Sequence, residues 1–454
     1  MYGRRWLTFP LLGTAALCAA LAPRLVGTPP QPEPTPAPFP PVVVQRGDRI
    51  TATVEADRTT TDAGSRRVGL HLDLVGADVD GPGTPTDLVV VLDRSGSMSG
   101  TKIEDARAAA SALVGLLRPE DRFALVSFAS DAHVDIPLSV VGTNDWAPVI
   151  AGLSSGGSTD MAQGLAVAGA LAERVSGRTT RVILVSDGAP DDRTGLSDLV
   201  RQLAVREIPL TAVGIGDDWD EQLMASLADA GTGNLHWVQR GQQLESVLAA
   251  ELAGSRSAVA QATELVVDGP FTIVDAGGFP TDGKHVQLGQ VLAGQRRGLW
   301  LQVELDRGAP GAVSLGSVGI RWRTPEGAAE QTRLALGQVD IVKDERVAWS
   351  TLGDGWARNV VEGDWNDLRA EVAEQVRAGD QEAALAAISR YRVGNETMNA
   401  YAQNALVADN LQEASLLEAE VSDQFVGADQ VQRQNSWAKT NCVDATQARK
   451  GLSY

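Results

Sequence analysis

Three oxygen-bearing side chains stand on alternate residues of this chain. They are Asp93, Ser95 and Ser97, within DLVVVLDRSGSMSG from Asp87 to Gly100. Oxygen donors on one tight turn suit a hard cation, magnesium above all, which takes oxygen ligands in near-octahedral array and usually keeps some waters. One carboxylate and two neutral hydroxyls leave a divalent ion under-neutralised, with appetite for an outside anion. Capping of the following helix is the simpler use of a single Asp-x-Ser. A phosphate loop is excluded, because it needs G-x-x-x-x-G-K-[ST] and Gly96 to Lys102 reads GSMSGTK. An aspartyl-nucleophile phosphatase is disfavoured, because its second carboxylate would fall at Ser95.

The elements that position these residues are legible around them. Leu88 to Leu92 is an unbroken apolar run, which reads as a strand buried on both faces. Its carboxyl end delivers Asp93 to the rim where ligands sit in open α/β sheets. A helix begins at about Thr101, with Ile103, Ala106, Ala110, Leu113, Val114 and Leu117 on one face. Further strands read at 122–128, 181–186, 210–214 and 235–238, with an antiparallel edge at 134–140 and helices at 161–175 and 244–252. Alternating strands and helices imply a mostly parallel sheet covered on both faces.

Asp93-Arg94-Ser95-Gly96-Ser97 resembles the D-x-S-x-S signature of the von Willebrand factor type A (VWA) family, which includes integrin inserted domains. That family carries a metal-ion-dependent adhesion site, a cation on the sheet rim completed by a partner's carboxylate. It also supplies a Thr and an Asp from later loops. Thr159, in Gly156-Gly157-Ser158-Thr159-Asp160 with Leu165 following, and Asp187, in Ser186-Asp187-Gly188, stand at the matching positions. The resemblance covers Asp87 to Ala253, about a third of the chain. It implies a Rossmann-like doubly wound sheet. It also implies Mg2+, with Ca2+ or Mn2+ as alternatives, at Asp93, Ser95, Ser97, Thr159 and Asp187. The three hydroxyls would coordinate directly or nearly so, the two aspartates partly through water, and a protein partner would add an Asp or Glu.

The net charge of −19 over 454 residues argues against nucleic acid, whose binders present a basic face, and against adsorption to anionic lipid. Residues 1–24 read as a signal peptide or N-terminal anchor. Arg4 and Arg5 precede an apolar stretch from Leu7 to Ala22, and Ala20-Leu21-Ala22 offers a cleavage site. Pro10 and the short length favour cleavage over spanning, so membrane association is confined to an uncleaved anchor. Leu17 stands before Cys18, where a lipidated cysteine follows a small residue, so no lipid is assigned. Residues 25–41 are a Pro-rich spacer. Cys442 would be the one cysteine left after cleavage, so no disulfide supports the fold. The expected location is the periplasm, cell envelope or extracellular space.

Alternating strands at 42–86 and again at 254–345 suggest one β-sandwich into which the VWA domain, 87–253, is inserted. The first set is too small to be stable by itself. Strands at 42–54 paired elsewhere, or unpaired, would refute this. Residues 346–454 read as helical from Asn366 onward, with stripes at Leu368, Val372 and Val376 and at Ala384, Leu385, Ile388 and Tyr391. This region, with Trp349, Trp356 and Trp365, is expected to pack on the sandwich. Asp191, Asp192, Asp217, Asp218 and Asp220 read as solvated loop acids. His71, His133, His236 and His285 are scattered, without zinc spacing or a nucleophile–base constellation. The function expected is an exported, non-catalytic protein that binds a divalent cation and, through it, a partner's acidic residue. The alternative is an envelope scaffold in which the metal is only structural.

Overall fold

The protein's computed structural model describes residues 43–78, 81, 83–187, 190–216, 219–239, 241–427 and 429–449. The segments 1–24 and 25–41, together with Gly188, Asp217 and Asp218, lie outside the described residues.

The chain opens with β1 (Val43–Arg46), β2 (Ile50–Ala56), β3 (Thr60–Asp62) and β4 (Arg67–Gly76). The alternating unit follows: β5 (Thr86–Asp93), α1 (Thr101–Leu116), β6 (Arg122–Phe128), β7 (Ala132–Val140), α2 (Ala147–Ala151), α3 (Met161–Leu171), β8 (Thr179–Ser186), α4 (Leu196–Val205), β9 (Leu210–Ile215), α5 (Glu221–Ala230), β10 (Thr232–Val238) and α6 (Gly241–Arg256). Its sheet runs β10-β9-β8-β5-β6-β7, parallel throughout except for the edge strand β7. The apolar run of β5 serves both faces. Val89 and Val91 join a core with α3, α4 and α5, whereas Leu88, Val90 and Leu92 join one with α1 and α6. Helix α3 ends at Leu171 rather than near residue 175. Ala172 turns extended, and the carbonyl of Glu173 accepts from Thr180 Oγ1 instead of continuing the helix.

After the unit come β11 (Ala258–Asp268), β12 (Phe271–Asp275), β13 (His285–Leu292), β14 (Arg296–Leu305), β15 (Gly311–Ser314), β16 (Ser317–Arg323), β17 (Ala329–Ala335) and β18 (Gln338–Val342). The insertion holds. β4 pairs with β14 from Arg67–Glu304 to Val75–Arg296, giving the sheet β1-β2-β4-β14-β12. A second sheet, β13-β11-β16-β17, shares its core. Leu70, Leu72 and Leu74 pack in one cluster with Leu301, Leu265, Val286 and Ile320. Residues 329–342 form two strands, β17 and β18, and not one. The break falls at Leu336-Gly337, and β18 leaves for a small third sheet between β15 and β3. β3 is three residues long and pairs in parallel with β18, so its partner lies about 280 residues away and local sequence gives no sign of it.

The helical region is α7 (Glu345–Trp349), α8 (Asp354–Arg358), a π turn (Asn359–Asp364), α9 (Trp365–Arg377), α10 (Gln381–Ala402), α11 (Ala405–Gln424) and α12 (Gln430–Arg449). Helix thus begins at Glu345, not Asn366. Asp344 caps α7, and Gly355 lets α8 approach β2 so closely that a Cβ would lie 3.3 Å from the Ala56 carbonyl. Trp356 is buried with Leu352 and Val360, and Arg358 pairs with Glu55 of β2 at 2.8 Å, as packing on the sandwich requires. The far end behaves otherwise. α12 lies on the alternating unit: Val443 enters its core, and Gln447 Nε2 donates to the Leu235 carbonyl of β10 at 2.8 Å. Glu221, at the start of α5, meets Arg377 of α9 and has Lys439 of α12 at 3.8 Å. Among the described residues, no helix is long and apolar enough to cross a membrane.

Candidate functional site

Asp93 ends β5 and is fully buried. Its Oδ1 accepts the Ser95 amide at 2.8 Å, and its Oδ2 accepts the Ser186 hydroxyl at 2.6 Å. Ser186 ends β8, so strand pairing between β5 and β8 brings the two tips together. Burial raises the Asp93 carboxyl above its ordinary value, with the Ser186 and Ser95 hydrogen bonds pulling the other way and Asp187 adding to the rise. Ser95 opens a 3-10 turn, Gly96–Met98, whose Met98 is buried in the core beneath. That anchor fixes the turn, leaving Ser97 exposed at its top.

Ser95 and Ser97 place their hydroxyls 3.0 Å apart, and Ser97 donates to Asp187 Oδ1 at 2.8 Å. Asp187 is fully buried, and its Oδ2 takes the Lys102 ammonium. Four of the residues read from the sequence, Asp93, Ser95, Ser97 and Asp187, therefore form one hydrogen-bonded chain across two strand ends.

The fifth residue, Thr159, arrives on a different loop. Gly156 N–H donates to the Arg94 carbonyl at 2.8 Å, and Gly96 N–H donates to the Gly157 carbonyl at 3.0 Å, which stitches this loop to the Asp93 turn. Gly157 has φ +87°, and a Cβ there would lie 2.7 Å from Ser130 Oγ, so both conformation and space demand glycine. Thr159 is 8% exposed. Among the described residues, no hydrogen bond links its hydroxyl to the other four.

Sequence reasoning missed the roles of four groups on or beside this rim. Asp191 is not merely solvated: its carboxylate accepts the Thr159 amide at 2.9 Å, and its own amide donates to the Thr159 carbonyl at 3.0 Å. It bolts the Thr159 loop to the Asp187 loop. Asp220 likewise is buried rather than solvated; it caps α5 and pairs with Arg193. Lys102 carried a readable signal, because a cation in the first turn of a helix opposes the helix dipole and needs another reason to be there. Arg94 crosses to Asp131 at 3.0 Å, tying the signature turn to the loop after β6.

The donor set is oxygen throughout: two carboxylates and three hydroxyls from three loops. No group of three or more His, Cys, Asp or Glu occurs among the described residues that could hold a metal. The set therefore lacks a carboxylate cage and suits an ion that tolerates neutral oxygens and water. Asp187 already receives one cationic group, the Lys102 ammonium. The site is a rim rather than a pocket. A cavity of about 760 Å³ opens elsewhere, between α5, α9 and α12, lined by Glu221, Asp229, Glu374 and Arg377 among others.

Residues 87–250 match the family model for the von Willebrand factor type A domain. This part of the chain is a VWA domain, a class of module that mediates protein–protein interaction and adhesion in general. The match ends within α6, close to residue 253, where the resemblance ends. The chain is similar to a Synechocystis protein described as uncharacterized protein sll0103, with 25% identity over 331 residues covering 66% of this chain and 76% of that one. The fold is that of a solved von Willebrand factor type A protein from Catenulispora acidiphila, at TM-score 0.65 and 17% identity, covering 90% of this chain and 99% of that one. It is also that of the ArnB paralog VWA2 from Sulfolobus acidocaldarius, at TM-score 0.61 and 16% identity, covering 88% and 99%. Both likenesses span the sandwich and helical region as well as the VWA unit.

Proposed function

We propose that this chain is an exported, non-catalytic binding protein that captures an acidic side chain of a protein partner through a divalent cation on its VWA rim. Asp93, Ser95, Ser97, Thr159 and Asp187 would hold the ion, Mg2+ first and Ca2+ or Mn2+ as alternatives. The ion would supply a positive charge with a coordination position open to the partner's Asp or Glu. The observation that carries the reading is the hydrogen-bonded chain Asp93–Ser95–Ser97–Asp187, with the Thr159 loop stitched beside it by Gly96 and Gly157. These residues are distant in sequence, and an oxygen cluster of this composition on a sheet rim suits a hard cation.

The chain's own residues do three things here. Ser186 and the Ser95 amide orient the Asp93 carboxylate. Met98 fixes the turn so that Ser97 faces outward. Asp191 holds the Thr159 loop against the Asp187 loop. Export is supported by the Arg4-Arg5 start and the apolar stretch to Ala22, and places the protein in the periplasm, cell envelope or extracellular space.

A scaffold is the second reading, favoured by the packing of α9 and α12 onto the VWA unit through Glu221. In that case the ion only stiffens the rim. Pull-down of partners in Mg2+, followed by elution with chelator, separates the two. Loss of partner on chelation, and with Asp93→Ala, supports capture. Partner binding that persists in both conditions, with only thermal stability changed by chelator, supports the scaffold.

A further inference from the structure

Lys102 is misplaced by the rules of its own helix. It is the second residue of α1, where the dipole favours acids. Its side chain, 25% exposed, leaves the helix and delivers its ammonium to Oδ2 of fully buried Asp187. The other oxygen, Oδ1, accepts from Ser97. Asp187 is thus divided between the hydroxyl cluster and a tethered positive charge.

This matters to the charge of the site. Asp93 and Asp187 are the two carboxylates of the cluster, and together they would cancel a divalent ion. An ion so cancelled exerts no net pull on a further carboxylate. Lys102 alters the balance by one unit. Without a metal the cluster keeps one net negative charge, enough to attract a cation; with a divalent ion it is left with one net positive charge. The cluster also stays close to neutral when empty, so neither buried carboxylate is abandoned.

We infer that Lys102 sets the charge of this rim: it weakens cation binding and, in return, leaves the loaded site positive toward an incoming carboxylate. The inference rests on the divalent-cation reading given above. Two cations sharing one carboxylate lie on the order of 5 Å apart, and at that separation a unit charge repels a divalent ion by a factor of about ten even at the dielectric of water.

The test uses the full chain and Mn2+, followed by water-proton relaxation. Wild type, Lys102→Met, Lys102→Gln and the charge-keeping Lys102→Arg are compared, with circular dichroism to establish that each is folded. Both neutral variants should bind Mn2+ about tenfold more tightly than wild type, and Lys102→Arg within about threefold of it. Sodium acetate titrated into the Mn2+-loaded proteins should displace bound water at several-fold higher concentration in the neutral variants. Wild-type binding of Mn2+ with equal or weaker binding by folded neutral variants overturns the role of Lys102 and leaves the cation site standing. Equal acetate affinity in all four overturns the recruitment half. No Mn2+ binding by wild type overturns the site reading and this inference with it.

Discussion

Asp93→Asn removes one charge from the cluster while keeping its shape. The amide oxygen can still accept the Ser95 N–H, now 2.8 Å from Oδ1, and the amide nitrogen can face the Ser186 hydroxyl, now 2.6 Å from Oδ2. Beside Asp187 and Lys102 the cluster then carries no net charge instead of one negative charge, so the electrostatic attraction for a cation is largely gone. Loss of one of the two carboxylates from such a site should weaken divalent binding about 100-fold, or about 2.7 kcal/mol. The metal-free stability should move the other way. Burial raises the Asp93 carboxyl above its ordinary value, so deprotonation costs the folded state more than the unfolded one, and wild-type stability from this group falls as pH rises through the raised value. The variant escapes that cost and should be as stable as wild type at pH 4 and more stable at pH 7.5. Calorimetric titration with MgCl2 at pH 7.5 and thermal melts in chelator at both pH values measure the two effects. Unchanged Mg2+ affinity would falsify the assignment of Asp93 as a ligand, and a large drop in the metal-free melting temperature would make its carboxylate a structural requirement instead.

Three further outcomes follow from other parts of the molecule. Gly157→Ala forces a left-handed residue against Ser130 Oγ and should cost about 1–3 kcal/mol, with weaker cation binding although all five site residues remain; a urea melt with a metal titration reads both, and unchanged affinity would show that the Thr159 loop is not needed. Arg181→Met leaves Glu251, which is buried among His236, Asn234 and Thr211, without its guanidinium. Burial works to raise Glu251, but Arg181 together with His236 and Asn234 outweighs it and holds the carboxyl well below the usual range, so the variant should lose about 3–5 kcal/mol near neutral pH and show a flatter loss of stability in acid. Burial, with Asp367, Asp57 and Asp275 nearby, pushes Asp364 up to about 7, so its ionisation destabilises the fold as pH rises from about 4 to 7; Asp364→Asn should match wild type near pH 4 and exceed it by up to about 4 kcal/mol above pH 7, and parallel urea curves at pH 5 and 8 that show no such divergence would contradict this environment.

The VWA unit was legible in the chain because its signals are local. Leu88 to Leu92, short, Val-rich and bounded by turn residues, reads as a strand covered on both faces, Asp93-x-Ser-x-Ser follows it onto the rim, and the helical stripe from Ile103 falls where the pattern puts it. The insertion was legible for a related reason: the three short strands readable before Asp87 have too little apolar surface to stand alone, and β4 duly pairs with β14. Asp93, Ser95 and Ser97 were legible from their types and spacing and Thr159 and Asp187 from the resemblance, and strand pairing brings four of the five into one hydrogen-bonded chain. What only the tertiary structure decided are matters of long-range closure. Which acids are bolts and which are solvated depends on loops from different strands meeting, as with Asp191 and Thr159, or Lys102 and Asp187. That β3 pairs with β18, and that α12 lies on β10 and α5 instead of the sandwich, turns on surfaces that exist only after both partners have folded. Periodicity fixes which face of an element is apolar; it carries no record of which apolar face, among several of equal appetite, will cover it.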